Sequence, residues 1–271
     1  MKFSVCTVDR DLSPDVPFPL RGKTYEECAR QAELLGFDGI ELQIQDPKYY
    51  NGRELKQMLD SHGLGASAVT TGLAYTMEGM SMTHPDPKVR AATVERLKRQ
   101  LDLAKELDSQ ILIGYLRGRK GPDRSDQEFE DILTETLGEV VEYGASIQTP
   151  TVFEQINRND GDVFNSTERT MSFLEKFHSD WLLYNGDTYH MLTEDFDVPA
   201  AIRRSLSKLV LFHVSDEGRN LPDDKHFDFH QAACVLKEAG YEKWVSIECK
   251  PLPDSLTATR QGIEYLKKTF R

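Results

Sequence analysis

The sequence predicts a (β/α)8 barrel, and three observations support this prediction. Eight short β-rich runs alternate with eight amphipathic helical segments. The last four β-rich runs end at or beside Glu154, Asp187, His213 and Glu248, and the gaps between these residues, 33, 26 and 35 positions, each match about one strand–helix–strand step. The chain has 271 residues, which suits an α/β barrel of about 250 residues in one domain.

The predicted strands and helices alternate along the whole chain. The strands cover residues 3–8, 39–44, 65–71, 110–116, 151–154, 181–187, 209–213 and 244–248. The helices cover residues 24–36, 53–63, 87–107, 126–144, 166–177, 198–206, 228–240 and 255–270. No linker or low-complexity tract separates them, so we expect a single domain over residues 1–271.

An open, doubly wound sheet is the alternative architecture. It would require a glycine-rich phosphate loop after the first strand, and the segment TVDRDLSPD (7–15) is not such a loop. The segment 71–87, which is aromatic and Met-rich, is predicted to be a long loop at the carboxyl ends of the strands. Loops of this length either cover a substrate or pack on the surface.

Composition excludes several classes of protein. The net charge is −12 and the pI about 5.1, so the chain should repel the backbone of a nucleic acid. No apolar run approaches 18 residues, and the N-terminus has no apolar signal-peptide core, so no membrane association is expected. The four cysteines form no C-x-x-C pair and are expected to be buried, which favours a reducing, cytoplasmic compartment.

The four residues at the strand ends form a candidate metal site. Parallel strands of a barrel bring their carboxyl ends to one place, where side chains from different strands meet. Two glutamates, an aspartate and a histidine suit a divalent cation that prefers oxygen and imidazole ligands. A single glutamate at a strand end would be an ordinary edge carboxylate, but four such residues in consecutive units indicate a metal.

Five motifs follow these strand ends and carry a resemblance to a known family. They are FEQINR (153–158), NGDTYHM (185–191), FHVSDEGR (212–219), KHFDF (225–229) and SIECKP (246–251). With them the chain resembles the ketose 3-epimerases within the xylose isomerase-like TIM barrels. The resemblance covers essentially the whole barrel and is less specific for the reaction than for the superfamily.

The resemblance implies a set of site residues. Glu154, Asp187, His213 and Glu248 would bind one divalent metal ion, Mn²⁺, Mg²⁺ or Co²⁺, with Zn²⁺ also admissible. Glu154 and Glu248 would in addition act as the two acid/base catalysts, one on each face of the reacting carbon, because epimerisation removes a proton from one face and returns one to the other.

Three further residues are implied to bind the substrate. His190 would donate a hydrogen bond to a substrate oxygen, and Arg219 would hold the oxygen that carries charge in the intermediate. Asp160 stands where the family often has a glutamate that contacts the far end of the sugar. Because the aspartate side chain is shorter, the resemblance does not determine the shape of that end of the pocket. Arg158 is expected to form a structural ion pair, and Asp228 to cap a helix.

Several functions remain open from the sequence. The first is C3 epimerisation of a ketose or ketose phosphate through an enediolate; the alternatives on the same scaffold are an aldose–ketose isomerase and an inosose-type dehydratase. A non-catalytic sugar-binding subunit is less favoured, since no expected ligand is missing. A nuclease is disfavoured by the acidic charge and by the few histidines. The partner is then a small sugar or sugar phosphate, and the resemblance implies a homodimer or homotetramer.

Overall fold

Eight parallel strands close into a barrel in the computed structural model, which describes residues 1–271. The strands of the barrel are β1 (Lys2–Val8), β3 (Gly39–Gln43), β4 (Gly65–Thr70), β5 (Ile111–Ile113), β6 (Thr151–Glu154), β7 (Leu182–Asp187), β8 (Leu209–Val214) and β9 (Trp244–Ile247). The barrel closes because β1 pairs with both β3 and β9. A two-residue strand, β2 (Leu20–Arg21), pairs with the end of β1 outside the ring. The predicted (β/α)8 fold is confirmed.

Ten α-helices accompany the strands. They are α1 (Tyr25–Leu35), α2 (Gly52–Ser61), α3 (Gly72–Glu78), α4 (Pro87–Glu106), α5 (Asp126–Ser146), α6 (Thr167–Glu175), α7 (Thr188–Glu194), α8 (Val198–Ser205), α9 (Phe229–Glu238) and α10 (Ser255–Phe270). Eight match the predicted helices, whereas α3 and α7 were not predicted. None of the ten combines the length and the hydropathy that crossing a bilayer requires.

The segment 71–87 was predicted to be a loop, and this prediction is wrong for its first half. Residues Gly72–Glu78 form α3, a seven-residue helix whose first turn has no side-chain cap. Its helical pattern is too short to stand out in the sequence, since two turns hold only Leu73 and Ala74 as buried residues. The helix lies at the carboxyl end of β4 and packs near the 3₁₀ turn that follows β5.

Alternation along the strands decides which side chains enter the barrel. Phe153 of β6 points outward and packs against Phe173 of α6, with ring centroids 5.9 Å apart. Because successive residues of a strand face opposite ways, its neighbours Val152 and Glu154 point inward. Val152 belongs to a small apolar cluster inside the barrel, below the polar residues. The other members of this cluster are Ala68, Leu112 and Leu211.

The same alternation applies on β8. Phe212 faces α10, where its ring centroid lies 6.4 Å from that of Phe270. His213 therefore faces the interior, and the strand register pairs it with Asp187 of β7. The outward residues form the main core between strands and helices, a cluster of 57 buried residues. This core fixes the strand ends that carry the polar residues.

Two structural expectations from the sequence are confirmed and one is wrong. Arg158 forms an ion pair with Glu194 of α7, at 2.7 Å between Nη2 and Oε2. Asp228 caps α9 by accepting a hydrogen bond from the backbone N–H of His230. All four cysteines were expected to be buried, but Cys234 is exposed on the outer face of α9.

Candidate metal centre and active site

Glu154, Asp187, His213 and Glu248 converge at the carboxyl end of the barrel. Each contributes one ligand atom to a group whose members all lie within 4.8 Å of one another. His213 Nδ1 is 3.3 Å from Glu154 Oε1 and 3.0 Å from Glu248 Oε2. All four side chains are buried. The structure thus brings together the four residues that were predicted as metal ligands.

Asn185 and Glu41 complete this cluster, and the sequence did not single out either one. Asn185 lies two residues before Asp187, so it shares the inward face of β7. Its Nδ2 donates to Glu154 Oε1 at 2.8 Å. Glu41 comes from β3, on the far side of the ring, and its Oε2 lies 3.0 Å from His213 Nε2.

Glu41 determines which nitrogen of His213 faces the cluster. When Nε2–H donates to the Glu41 carboxylate, the lone pair of Nδ1 is directed toward Glu154 and Glu248. Carboxylates commonly orient metal-binding histidines in this way. Glu41 is itself fully buried, and its other oxygen accepts from Cys6 Sγ at 3.3 Å. A signal was available in the sequence, since Glu41 is a lone charge within the apolar run GIELQI (39–44).

The buried charges do not balance without a further positive charge. Four buried carboxylates, those of Glu41, Glu154, Asp187 and Glu248, lie within 4.0 Å of the His213 ring nitrogens. Two buried guanidinium groups face them. They are Arg219, which contacts the cluster directly, and Arg117, which interacts with the charge of Glu154. Two negative charges are left over, and burying unpaired charges is costly.

Proton uptake is one way for these residues to reduce the imbalance. Burial raises the pKa of Asp187, although the Arg219 charge opposes the rise. Burial alone would lower the pKa of His213, but Glu41 and then Glu248 raise it well above its ordinary value. Burial alone would raise the pKa of Glu248, but Arg219 and His213 lower it.

A divalent cation would restore the balance in place of those protons. The two positive charges equal the excess of buried carboxylates over guanidinium groups, and metal binding requires deprotonated ligands. The donor set consists of three carboxylates and one imidazole nitrogen, which come from four neighbouring strand ends. Such a set accepts Mn²⁺, Mg²⁺ or Co²⁺. The residues therefore fit the metal that the sequence predicted.

Arg219 lies directly against the cluster. Its Nη1 is 2.6 Å from Asp187 Oδ2 and 2.7 Å from Glu248 Oε2, and its guanidinium lies over the ring of Tyr189, 4.3 Å from the centroid. The backbone of Arg219 has φ of 60°, a left-handed value that is uncommon for a residue other than glycine. Such strain persists only where the surroundings impose it, often at functional sites.

His190 is fully buried beside Arg219. Its Nδ1 accepts a hydrogen bond from the backbone N–H of Asn157 at 3.1 Å, so the neutral ring carries its hydrogen on Nε2. Burial, followed by the nearby Arg219 charge, lowers the pKa of His190 well below its ordinary value and keeps it neutral. Nε2 lies 3.1 Å from Arg219 Nη2. Two N–H donors thus face each other, and an acceptor oxygen would satisfy both.

Asp160 is separate from this group. It lies in the turn after β6, where its backbone N–H donates to the carbonyl oxygen of Asn157. It does not line the cavity that opens above the cluster. Its carboxylate instead faces Tyr189, where burial and then Asp160 raise the pKa of the phenol. Any contact between Asp160 and a substrate stays a prediction.

A cavity of about 470 Å³ opens above the cluster. Glu154, Glu248 and Arg219 form its floor, and Glu41 and Tyr115 lie at its sides. A volume of this size suits a small molecule. Of the four predicted metal ligands, Glu154 and Glu248 are the two that line the cavity.

Comparison with known proteins decides the family. The model of the xylose isomerase-like TIM barrel matches residues 29–269. The chain belongs to this family. The family membership predicted from the motifs at the strand ends is thereby confirmed.

The relatives of the chain include several sugar epimerases. A ketose 3-epimerase of Arthrobacter globiformis is 26% identical over 215 residues, which cover 79% of this chain and 73% of that protein. An L-ribulose 3-epimerase of Mesorhizobium japonicum is 28% identical over 218 residues, covering 79% and 71%. These relatives confirm the expected classification among isomerases and epimerases.

Solved structures show the same fold. An L-ribulose 3-epimerase superimposes with a TM-score of 0.84 at 19% identity, covering 99% of this chain and 94% of that one. A 3-keto-D-glucoside 4-epimerase from E. coli superimposes with a TM-score of 0.82 at 19% identity, covering 99% of both chains. At these identities the likeness concerns the fold alone.

Proposed function

We propose that this protein is a metal-dependent sugar epimerase that inverts carbon 3 of a ketose. The observation that carries the proposal is the pair of buried carboxylates of Glu154 and Glu248, which both lie within 3.3 Å of His213 Nδ1 and both line one cavity. Epimerisation beside a carbonyl needs two such groups, one for each face of the carbon. The epimerase relatives favour the same reaction.

In the proposed mechanism the two glutamates exchange roles. The ionised glutamate takes the proton from carbon 3, the electron pair of the broken C–H bond forms a double bond between carbons 2 and 3, and the π pair of the carbonyl moves onto its oxygen. The other glutamate, which holds a proton at this stage, then delivers that proton to the opposite face of carbon 3, and the electron pair on oxygen re-forms the carbonyl. One proton is removed and one is returned, so the reaction needs no oxidant or co-reactant. Which glutamate acts first depends on the epimer that binds.

The other residues would bind and orient the sugar. Glu154, Asp187, His213 and Glu248 would hold a divalent cation, Mn²⁺, Mg²⁺ or Co²⁺, which as a Lewis acid would polarise the carbonyl and stabilise negative charge on its oxygen. Charged Arg219, which lines the cavity, would donate to a substrate oxygen. Neutral His190 would donate to the same oxygen from beside it, because its Nε2 lies 3.1 Å from Arg219 Nη2.

Deuterium labelling tests this proposal directly. The loaded enzyme is incubated in D₂O with D-psicose, D-tagatose and L-ribulose, and NMR identifies the carbon that acquires deuterium. Label at carbon 3 with inversion supports epimerisation. Label at carbon 2 of an aldose product, or at carbon 1 of the recovered ketose, would instead indicate an aldose–ketose isomerase, and loss of water would indicate a dehydratase. If no ketose exchanges a proton, the proposed function is wrong.

Gly114 tests whether the position of Glu154 matters. A Cβ at residue 114 would lie 2.4 Å from Glu154 Oε2, so Gly114→Ala should displace the carboxylate. A shift of about 1 Å in a reacting group can cost about 10²-fold in rate. We expect turnover to fall at least about tenfold with little change in melting temperature, since only the flexible end of a side chain must move.

Gly138→Ala is the matched control, because a Cβ there has nothing within 4 Å. Steady-state kinetics and thermal melts are compared for both variants. Unchanged turnover in Gly114→Ala would contradict the assigned position of the Glu154 carboxylate.

Glu41 tests the orientation of His213. Replacing Glu41 by Gln removes the charge that receives the Nε2–H hydrogen bond, so His213 should hold its lone pair toward the cluster less firmly. We expect affinity for Mn²⁺ to fall about 10- to 100-fold, the usual cost of losing such a partner. Calorimetric Mn²⁺ titration measures this without reference to activity. Glu142→Gln, at an exposed position of α5, is the control, and equal affinities in all three proteins would contradict the role of Glu41.

A further inference from the structure

The cavity above the cluster has two chemically distinct parts. Its floor is charged and is formed by Glu154, Glu248 and Arg219. Its outer part is formed by the loop between β1 and β2 and by α3. The apolar residues that these segments contribute, which we call the mouth, are Leu12, Val16, Pro17, Phe18, Leu73 and Met77.

Hydrogen bonds within the protein fix the conformation of the loop that contributes most residues of the mouth. Arg21 of β2 donates hydrogen bonds to backbone carbonyls of the loop, at 2.9 Å to Ser13, 2.8 Å to Val16 and 3.1 Å to Phe18, and also to Leu12. One guanidinium group thus holds the loop in a single shape. The mouth is therefore organised before any ligand binds, which lowers the entropic cost of binding.

Packing attaches the mouth to the barrel. Phe18 and Leu73 are buried together with Cys6 and Val8 of β1 in one apolar cluster. Met77 stands at the outer edge and is 54% exposed. A ligand that covers the Met77 side chain would remove apolar surface from water, which favours binding.

The charges of the cavity disfavour an anionic ligand. Arg219 is the only basic residue among those that line it, and Asp187 and Glu248 already bind its guanidinium. Asp15, at the mouth, is paired with Lys250, at 3.9 Å between Oδ1 and Nζ, so these two charges offset each other. A phosphate group would find no free cation here. Among the cavity-lining residues of the segments that form the mouth, only Ser13 and Thr76 offer hydroxyls, which are too few to pair with a hydroxyl-rich sugar end. Gln43, Thr70 and Tyr115 line the cavity from the strand ends and the turn after β5.

We propose that the substrate is an uncharged sugar whose non-reacting end carries an apolar substituent, such as an alkyl or aryl group. This inference rests on the proposed function, which places the reacting carbon at the floor between the two glutamates. The far end of the sugar then extends toward the solvent and meets the mouth. Contact between its substituent and Leu12, Val16 and Met77 selects such sugars over free ketoses and ketose phosphates.

One ketose and two of its derivatives test the inference. The Mn²⁺-loaded enzyme is assayed with D-tagatose, its 6-O-butyl ether and its 6-phosphate. Each buried methylene should raise kcat/KM up to about fourfold, so the butyl ether should exceed the free sugar by about tenfold or more, and the phosphate should be the poorest. A butyl ether no better than the free sugar, or a preferred phosphate, would overturn the inference.

A variant pair locates the effect. Met77→Ser should lower the ratio of butyl-ether to free-sugar kcat/KM, whereas Leu34→Ser, at an apolar residue that is 73% exposed and lies outside the cavity, should leave this ratio unchanged. An unchanged ratio in Met77→Ser would contradict the assigned contact.

Calorimetric titration of the three compounds provides a readout that needs no turnover. If none of them exchanges its carbon 3 proton, the proposed reaction is wrong, but tighter binding of the butyl ether would still support the apolar subsite. Equal binding of the ether and the free sugar would refute the subsite, whether or not epimerisation occurs.

Discussion

Glu154→Gln and Glu248→Gln are each expected to abolish epimerisation, with kcat lowered about 10³-fold or more, and to leave the fold intact. Glutamine has the shape of glutamate but neither accepts a proton at neutral pH nor returns one. General acid–base groups typically contribute about 10²- to 10⁴-fold. Because inversion needs a group on each face, neither residue should compensate for the loss of the other. Single-turnover epimerisation assays and deuterium wash-in at carbon 3 measure this.

The control replaces a glutamate that is remote from the cavity. Glu175 pairs with Arg204 on the surface, so Glu175→Gln makes the same chemical change without touching the cluster. It should keep wild-type turnover, and circular dichroism melts should show that all three variants are folded. Wild-type exchange in both Glu154→Gln and Glu248→Gln would exclude the two-base mechanism.

Removing divalent metal is expected to stop turnover and to lower the melting temperature. The cluster buries more carboxylates than guanidinium groups, so a bound cation should stabilise the folded chain. A ligand at 100 times its Kd contributes about 2.7 kcal/mol, which corresponds to about 5–10 °C for a chain of this size. Dialysis against EDTA, followed by titration with Mn²⁺, Mg²⁺ and Co²⁺, gives both activity and melting temperature.

His213→Gln distinguishes specific binding from general salt effects. Loss of one ligand from the cluster should abolish most of the Mn²⁺-dependent rise in melting temperature, while added NaCl should act equally on both proteins. If the chelated wild-type protein retained full activity and an unchanged melting temperature, the metal centre would be refuted.

The architecture and the four converging residues were accessible from the sequence because they depend on repeats. Strand and helix periods alternate along the chain, and the spacing of Glu154, Asp187, His213 and Glu248 follows one structural unit at a time. In a closed barrel, equivalent strand ends must meet. The spacing in the sequence and the geometry of the closed barrel therefore both predict that these four residues converge.

Glu41 was missed because its importance depends on closure of the ring. It lies on β3, well before the four converging residues in sequence, and it reaches His213 only across the barrel interior. No local pattern links the two residues. The left-handed backbone at Arg219 was missed for a similar reason, since arginine is not a residue that favours this conformation.

The mouth was only partly accessible from the sequence, which left open whether the segment 71–87 covers a substrate or packs on the surface. The loop between β1 and β2 has no regular period, and its shape depends on the carbonyl contacts of Arg21. The helix α3 is too short to show a periodic apolar face. These two segments form the outer part of the cavity. The sequence predicted the conformation of this outer part less completely than it predicted the residues of the cluster.

The two carboxylate oxygens of Asp187 have different hydrogen-bond partners and different roles. Oδ1 accepts the backbone N–H of Tyr189 and starts α7, while Oδ2 faces Arg219 within the cluster. Asparagine could keep the first duty but not the second, and glutamate could keep the charge but would change the reach of the cap. Either substitution would therefore disturb the start of α7 or the charge of the cluster, because both depend on the same carboxyl group.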